Sequence, residues 1–256
     1  MSNKNQQKTG KTGNIIKSAG AVSELLYPRI CPVCGGKLPA WQPGTLKIHP
    51  VCCAKLRRVE APFCLKCGKP LENAEQEFCF DCSRGRRSFE SGHGLWVYDK
   101  ISSEAVFLYK YGKKRELCEF FAQAVFEAYG SWIREISPEL IVPVPVSREK
   151  LRSRGFNQAE LIAELLAAKL DIAEEGRALV RVRSTSPQKE LDPAQRRENI
   201  RSAFEARRRF LRGARRVLLI DDIYTTGNTV EYCTRALKKG GAERVWFLTL
   251  CIGAPF

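Results

Sequence analysis

Between residues 95 and 250, short apolar runs alternate with longer segments in which apolar residues recur every three or four positions. The short runs are typical of buried strands, and the longer segments are typical of helices with one apolar face. Strands that alternate with helices indicate an α/β fold, in which helices flank a mainly parallel sheet. The predicted strands are 95–98, 140–142, 215–220 and 245–250, and the predicted helices are 102–111, 117–136, 156–170 and 229–239.

The preceding part of the chain lacks this alternation. Residues 14–30 are amphipathic and predict a helix that ends at Pro28, whereas residues 1–13 are rich in Lys, Asn, Gln and Gly. We expect a flexible basic tail without a secretory signal, and no transmembrane helix because the chain has no apolar run of about 18 residues. The predicted division is a tail at 1–24, a cysteine-rich module at 25–88 and an α/β domain at 89–256.

Eight of the eleven cysteines lie between residues 31 and 82 and follow an internal repeat. The pattern Cys-x-x-Cys-Gly-x-x-Leu begins at Cys31 and again at Cys64. In such a turn two thiolates hold one metal ion, and the glycine permits the tight backbone conformation. Two structural Zn²⁺ ions would also stabilise a segment that has few core residues. The predicted ligands of the second ion are Cys64, Cys67, Cys79 and Cys82.

The first zinc site is less regular than the second. Cys31 and Cys34 supply one ligand pair, and we expect His49 and Cys52 to supply the other because they keep the same spacing. Two alternatives stay open: Cys53 replaces one of them, or His49 is a solvated loop residue. We expect the three cysteines outside the module to be small buried hydrophobic residues; they are Cys118, Cys233 and Cys251.

Positive charge dominates the chain, whose formal net charge is +15. Between Arg177 and Arg216, 13 basic and 4 acidic residues give a local net charge of +9. Such a surface suits a nucleic acid or a polyphosphate substrate, and it also favours solubility. Within it, residues 183–199 are polar and basic, with a predicted short helix from Pro193. This segment is either a flap that closes over a substrate or an exposed linker.

The most specific chemistry lies in residues 217–229. A predicted strand is followed by two carboxylates, a hydroxyl-rich loop with one glycine, and a helix. Open α/β sheets bind ligands at the carboxyl ends of strands, and a loop before a helix N-terminus offers N–H groups to a phosphate. We expect Asp221 and Asp222 to bind vicinal ribose hydroxyls, and an ordinary turn after a buried strand is the alternative. The expected 5-phosphate ligands are Thr225, Thr226, Gly227, Asn228 and Thr229.

A second candidate phosphate-binding segment follows the predicted strand 140–142. Arg148, Arg152 and Arg154 lie along an expected loop that leads into a helix. Arginine side chains suit the oxygens of a pyrophosphate, although a solvated basic loop is the alternative. Because the carboxyl ends of parallel strands meet at one edge of a sheet, we expect this loop beside the acid pair.

Together these motifs resemble a known family. Residues 217–229 resemble the phosphoribosyl-pyrophosphate (PRPP) motif of type I phosphoribosyltransferases. With the double Cys-x-x-Cys-Gly module, the Pro-Val-Pro run at 143–145 and Arg-Gly-Phe-Asn-Gln at 154–158, the chain resembles the ComF family over residues 25–252. His49 departs from the family, which usually has cysteine there. Further resemblance is carried by Gln188, Leu191, Arg196 and Asn199.

The resemblance implies a cytoplasmic bacterial protein in which a double zinc ribbon precedes a type I phosphoribosyltransferase-like domain. It also implies a link to natural competence and to imported single-stranded DNA. It identifies no acceptor substrate.

Two functional hypotheses follow. In the first, the protein is a phosphoribosyltransferase that binds PRPP with Mg²⁺ and stabilises charge without a covalent nucleophile. In the second, it is a non-catalytic nucleic-acid-binding protein, and the transferase fold serves as a sensor or a DNA platform. The expected partners are PRPP and either single-stranded DNA or proteins of the competence machinery, and we expect no membrane insertion. The second hypothesis draws on the aromatic residues Phe63, Phe78 and Phe80 beside the cysteines.

Overall fold

The computed structural model describes residues 29–39, 44–182 and 203–254. The predicted tail, most of the predicted helix at 14–30 and the predicted flap at 183–199 lie outside the described residues. In chain order the elements are α1 (Pro50–Lys55), α2 (Phe80–Arg84), β1 (Gly92–Val97), α3 (Lys100–Tyr111), α4 (Leu117–Ile136), β2 (Leu140–Pro143), α5 (Arg148–Arg154), α6 (Gln158–Leu170), β3 (Ala173–Glu174), β4 (Leu179–Arg181), β5 (Phe204–Ala206), α7 (Arg208–Leu211), β6 (Arg216–Tyr224), α8 (Asn228–Gly240) and β7 (Arg244–Ile252).

Five strands form one parallel sheet in the order β1-β7-β6-β2-β3, and β4 and β5 form a separate antiparallel pair. The central strand β6 pairs with β7 along its whole length and with β2 at Val217–Ile220. This arrangement confirms the predicted α/β architecture. Among the described residues, no helix is both long enough and apolar enough to cross a membrane.

The apolar periodicity of the sequence gives the positions of the long helices. Helix α4 occupies Leu117–Ile136 as predicted, and its apolar face is buried. Helix α3 begins two residues before the predicted start because Asp99 and Ser102 form a capping box. The Asp99 carboxylate accepts from the Ser102 N–H at 2.9 Å, and the Ser102 hydroxyl accepts from the Asp99 N–H at 2.9 Å.

Two segments differ from the prediction. Strand β6 continues to Tyr224, where it still pairs with Ile252, so Asp221 and Asp222 lie inside a hydrogen-bonded strand and not after it. The expected loop after β2 contains helix α5, which begins at the N-cap Ser147 and ends at Gly155, whose φ is 82°. Arg, Glu, Lys and Leu favour helices, and both caps have typical residues, so local propensity explains the correction.

The two faces of the sheet bury separate apolar clusters. On one face, α3, α4 and α6 pack together with Leu38 and Ile48 of the first cysteine repeat. On the other face, α8 packs together with Phe89 and the cysteines of the second repeat. Each cysteine repeat therefore packs on a different side of the sheet.

Candidate functional site

The segments that follow β2 and β6 meet at one edge of the sheet, because these strands are parallel neighbours. The Val144 N–H donates to the carbonyl of Ile220 at 2.8 Å. The Asn157 side-chain amide donates to the carbonyl of Val144 at 3.1 Å, which fixes the start of α6 to the same place. Helix α5 therefore lies beside the carboxyl end of β6, where the sequence analysis expected a loop.

The acid pair Asp221–Asp222 lies at this edge, and its two carboxyl groups have different partners. Asp222 Oδ2 lies 2.7 Å from Lys110 Nζ, and only 18% and 13% of these side chains are exposed. Asp221 Oδ1 accepts from the Asp222 N–H at 2.8 Å. Burial, and then the charge of Asp222, raises the pKa of Asp221 to about 7, although part of the residue remains exposed. The two acids therefore differ in their surroundings: Asp222 forms an ion pair with Lys110, whereas burial disfavours the charged form of Asp221.

The loop after β6 leads directly into helix α8. Gly227 precedes the helix with a φ of 77°, and a Cβ at this position would collide with the Tyr224 hydroxyl, so glycine is required. Helix α8 begins at Asn228, and its N-cap glycine has no side chain that could bind the first N–H groups. These N–H groups, together with the hydroxyls of the loop, can therefore bind an anion beside Asp221 and Asp222.

Helix α5 places the predicted pyrophosphate residues on two different faces. Arg148 and Arg152 lie about one turn apart and line a cavity of about 790 Å³. The acid pair is not among the described residues that line this cavity. These two arginines therefore face a cavity that the carboxylates do not line, and the other arginines in its wall are Arg177, Arg181 and Arg207.

Arg154 and Lys150, also one turn apart, lie on the opposite face of α5. Arg154 is only 7% exposed, and its guanidinium donates to Gln158 Oε1 at 2.9 Å and to the Tyr111 hydroxyl at 2.8 Å. The positive charges of Lys110 and Lys150 partly offset the rise in the pKa of Asp221. Among the described residues, Lys110 thus pairs with Asp222, and the charges of Lys110 and Lys150 act on Asp221.

Sequence reasoning missed both lysines for different reasons. Lys150 was available from the sequence, since it shares helical spacing with Arg154 once α5 is recognised as a helix. The role of Lys110 could not be predicted from the sequence, because Lys110 lies at the end of α3 and only the tertiary fold brings it to Asp222. The signal that remains in the sequence is a Tyr-Lys-Tyr run at residues 109–111 before a glycine.

The second metal group consists of four thiols whose sulfur atoms all lie within 4.8 Å of one another. The Sγ atoms of Cys67 and Cys79 are 3.6 Å apart, close to the roughly 3.8 Å expected around a tetrahedral zinc. The hydrogen bond between Cys64 and Cys67 lowers the pKa of Cys64 and raises the pKa of Cys67. Four cysteine sulfur atoms at this distance suit a soft metal ion, and Zn²⁺ fits the donor set of Cys64, Cys67, Cys79 and Cys82.

The first metal group has three thiols and an imidazole, again within 4.8 Å of one another. The Nδ1 atom of His49 lies 3.4 Å from Cys34 Sγ, and its Nε2 atom lies 3.1 Å from the carbonyl of Lys37. A carbonyl only accepts, so Nε2 donates and the Nδ1 lone pair faces the thiols, which is the usual orientation of a metal-binding histidine. Cys53 is exposed and lies outside the group, which comprises Cys31, Cys34, His49 and Cys52.

The segment after the second metal group contacts the predicted phosphate loop, which comprises residues 225–229. Arg87 Nη2 donates to the carbonyl of Thr226 at 2.9 Å. The N–H and hydroxyl of Ser88 donate to the carboxylate of Glu231 on α8, at 2.8 and 2.7 Å. Glu231 is buried, so these bonds fix the first turn of α8 against the cysteine-rich module.

Tyr224 lies between the second metal group and the loop at residues 225–229. Its ring stacks on Phe247, with centroids 4.9 Å apart, and Lys69 Nζ lies 5.9 Å from its centroid. Lys69 belongs to the turn of the second repeat, where its carbonyl accepts from the Cys64 N–H at 2.8 Å. The ring of Tyr224 therefore contacts the metal-binding turn, while its hydroxyl lies against Gly227.

Comparison with known families finds two matching family models. Residues 22–83 match the family described as double zinc ribbon domain, and residues 153–254 match the family described as phosphoribosyl transferase domain. Fold, metal groups and family matches together define a protein that joins a double zinc ribbon to a phosphoribosyltransferase-type domain.

Individual relatives narrow this class to one family. Competence protein F of Haemophilus influenzae is 31% identical over 196 residues, which are 73% of this chain and 84% of the relative. DNA utilization protein YhgH of Salmonella typhimurium is 26% identical over 89% of this chain and 98% of the relative. Competence protein ComFC of Bacillus subtilis is 27% identical over 78% of this chain and 81% of the relative. The chain belongs to the ComF family, which confirms the resemblance noted in its motifs.

Similarity to solved structures is limited. An allosteric regulatory enzyme of purine biosynthesis aligns with a TM-score of 0.32 at 22% identity, over 44% of this chain and 22% of that one. The glutamine PRPP amidotransferase of B. subtilis, complexed with ADP and GMP, aligns with a TM-score of 0.33 at 21% identity over the same shares. TM-scores this low support no structural conclusion.

Proposed function

We propose that this protein binds PRPP with Mg²⁺ between β2 and β6 and acts as a phosphoribosyltransferase during the handling of imported DNA in natural competence. One observation carries the proposal: the acid pair Asp221–Asp222 lies near the end of strand β6, which leads through a short loop into an uncapped helix N-terminus. The names of the relatives support the role in competence and DNA use. A cytoplasmic location and contact with the competence machinery belong to the same proposal.

The acid pair and the loop would bind the two ends of a ribose 5-phosphate. The 2- and 3-hydroxyls of the ribose donate to Asp221 and Asp222. The 5-phosphate accepts from N–H groups of residues 225–229 and from the hydroxyls of Thr225, Thr226 and Thr229, where the dipole of α8 favours negative charge. Each group of the ligand thus has a partner of matching chemistry.

Lys110, Lys150 and Arg154 would bind the pyrophosphate. Lys110 pairs with Asp222, the charge of Lys150 acts on Asp221, and Arg154 lies one turn after Lys150 on α5, so a pyrophosphate on ribose C1 would meet them. They would stabilise the negative charge that grows on the leaving group, which is a large contribution to catalysis in a site shielded from water. Arg148 and Arg152 would have to turn to the other side of α5 to share this role.

The reaction needs no covalent bond to the protein. A lone pair of the acceptor forms a bond to ribose C1 while the bond from C1 to the pyrophosphate oxygen breaks, and its electron pair leaves with the pyrophosphate. The carboxylates stabilise the positive charge that develops on the ribose ring. Mg²⁺, when bound with PRPP, supplies further charge neutralisation at the pyrophosphate oxygens.

We also propose one structural Zn²⁺ in each metal group, held by Cys31, Cys34, His49 and Cys52 and by Cys64, Cys67, Cys79 and Cys82. Both donor sets fit tetrahedral zinc in atom type and spacing. Metal analysis of the purified protein should give two zinc ions per chain. A count of one zinc ion per chain would contradict the proposed zinc site that contains His49.

Titration calorimetry with PRPP and Mg²⁺ tests the proposed function. Wild-type protein should bind, and Asp221→Asn and Asp222→Asn should each weaken binding by roughly tenfold or more, because each loses a charged hydrogen-bond acceptor. Asp171→Asn is a matched control, since Asp171 is exposed at the end of α6. Absence of binding, or equal binding by all three variants, would contradict the proposal.

A second candidate function is supported by the arginine-lined cavity beside α5. Its five arginines and the exposed rings of Phe78 and Phe80 suit the backbone and the bases of single-stranded DNA. Binding of an oligonucleotide should weaken steeply as salt rises, because phosphate contacts release counterions. Binding that is absent or independent of salt would contradict this second function, whereas Arg148→Ala/Arg152→Ala should reduce the salt dependence.

A further inference from the structure

The hydroxyl of Tyr224, at the end of β6, is buried without a partner of the usual kind. Tyr224 is only 1% exposed, and its hydroxyl has no oxygen or nitrogen partner among the described residues. The ring is held by Phe247, on which it stacks with centroids 4.9 Å apart and an interplanar angle of 5°. A buried hydroxyl without a hydrogen bond is unfavourable, so this one indicates an interaction of another kind.

The group that acts on this hydroxyl belongs to the second metal group. Burial raises the pKa of Tyr224, and Cys67 raises it further through its charge and through a side-chain hydrogen bond. Cys67 is itself fully buried, and it is one of the four cysteines whose sulfur atoms converge. The hydroxyl and the thiol therefore lie together inside the protein.

This thiol becomes a strong acceptor when it binds a metal ion. Zinc binds cysteine as the thiolate, and four thiolates around one Zn²⁺ carry a net negative charge. Hydrogen bonds from neighbouring donors to such ligands orient them and strengthen metal binding. A second buried donor without a partner among the described residues is Arg87 Nε, and the charge of Cys82 acts on its guanidinium. Two buried donors thus lie beside thiols of the second metal group.

The same hydroxyl also contacts the loop at residues 225–229. It lies where a Cβ of Gly227 would be, and Gly227 stands directly before α8 with a φ of 77°. Arg87 donates to the neighbouring Thr226 carbonyl at 2.9 Å. The position of the Tyr224 hydroxyl therefore affects the backbone of the loop.

We propose that Tyr224 is a positioning residue whose hydroxyl donates a hydrogen bond to the metal-bound sulfur of Cys67, so that occupancy of the second metal group controls the affinity of the loop for PRPP. The part that concerns PRPP rests on the proposed function, whereas the hydrogen bond does not. With metal bound, the thiolate holds the hydroxyl against Gly227. Without metal, Cys67 is a thiol, which accepts only weakly. Zinc and PRPP therefore strengthen each other's binding, because coupling between two sites is reciprocal.

Tyr224→Phe tests the hydrogen bond, because it removes only the hydroxyl and keeps the ring that stacks on Phe247. Competition with a zinc-selective chelator would measure the zinc affinity of each site. The variant should bind one of its two zinc ions about tenfold more weakly and the other like the wild type. Calorimetry with Mg²⁺ should show PRPP binding weakened by about fivefold, the effect of one hydrogen bond. Saturating PRPP should raise the zinc affinity of the same site in the wild type and not in Tyr224→Phe.

Tyr129→Phe is the matched control, because the Tyr129 hydroxyl on α4 has a partner elsewhere, the Gly94 carbonyl in β1 at 2.8 Å. It should keep wild-type affinity for both zinc ions and for PRPP. Wild-type zinc affinity at both sites of Tyr224→Phe, or unchanged PRPP affinity despite weakened zinc binding, would overturn the inference and leave the proposed function intact. Failure of the wild type to bind PRPP would overturn the proposed function and the control of PRPP affinity, and the zinc affinities alone would then decide whether the hydrogen bond exists.

Discussion

The two cysteine repeats have the same local pattern but lie in different surroundings. The first contributes Leu38 and Ile48 to the face covered by α3 and α4, and its Cys34 is exposed. The second has three buried cysteines and packs against Phe89, Tyr224 and α8 on the other face. Its following segment also donates a hydrogen bond to the phosphate loop through Arg87.

The difference indicates that the same metal-binding turn has a different structural role in each repeat. The first repeat covers an apolar face of the sheet together with α3 and α4. The second supports the loop itself, since Arg87 binds the Thr226 carbonyl and Tyr224 fills the space beneath Gly227. Loss of the two metal ions should therefore have unequal effects on ligand binding, although each loss unfolds its own ribbon.

The largest expected effect comes from removal of one metal ligand in each repeat. Cys64→Ser should lose one zinc and weaken PRPP binding by about 100-fold or more, because the support of the loop is lost. Cys31→Ser should also lose one zinc but weaken PRPP binding by less than about fivefold. Metal analysis combined with calorimetry on both variants measures this. Equal loss of PRPP binding in the two variants would contradict the conclusion that only the second repeat supports the loop.

A smaller effect is expected from the contact between Tyr224 and the loop. Gly227→Ala should weaken PRPP binding by roughly tenfold or more and lower the melting temperature, because a Cβ collides with the Tyr224 hydroxyl at a φ of 77°. Gly213→Ala is the control, since Gly213 has a φ of 82° and nothing within 4 Å of an added Cβ. Calorimetry should show normal PRPP binding by the control, and a matching loss there would assign the effect to backbone strain alone.

Arg87 gives an intermediate test of the same support. Arg87→Ala removes the donor to the Thr226 carbonyl and should weaken PRPP binding by about tenfold, the effect of one charged hydrogen bond. Arg86→Ala, at the exposed neighbouring position, should leave the affinity unchanged. If both variants bind PRPP like the wild type, the second ribbon does not position the loop.

These contacts mark the limit of what the sequence predicts. The apolar periodicity predicts the helices because α4 has one uniform buried face, and the Cys-x-x-Cys spacing predicts which ligand atoms converge. Helix α5 could have been predicted from its capping residues. Because the sequence analysis expected a loop there, it assigned Arg148 and Arg152 to the same site as Arg154. The pairing of Lys110 with Asp222 and of Arg87 with Thr226 was not predictable, because distant segments meet there only in the folded chain.

The smallest expected effect is a change in the pH dependence of PRPP binding. It involves Lys110 on α3, the helix that packs on the same face of the sheet as the first repeat. The pKa of Asp221 is raised to about 7, chiefly by burial, and the positive charge of Lys110 on α3 limits the rise. Ribose hydroxyls donate to a carboxylate, so PRPP affinity should fall as pH drops below about 7 and level off above it. Lys110→Gln should move the midpoint of this pH profile to higher pH. Asp221→Asn should lose the fall in PRPP affinity that protonation of Asp221 causes. Calorimetry between pH 5.5 and 8.5 would measure both, and an unshifted midpoint in Lys110→Gln would contradict the coupling.

The most direct test of the account is hydrogen–deuterium exchange with and without PRPP and Mg²⁺, since it shows where the ligand binds. We predict slower exchange of the N–H groups in residues 225–229, with no comparable change in β4 and β5 beside the arginine-lined cavity. Slower exchange at β4 and β5 alone, or no change in residues 225–229 at saturating PRPP, would contradict the placement of the ligand at the carboxyl end of β6.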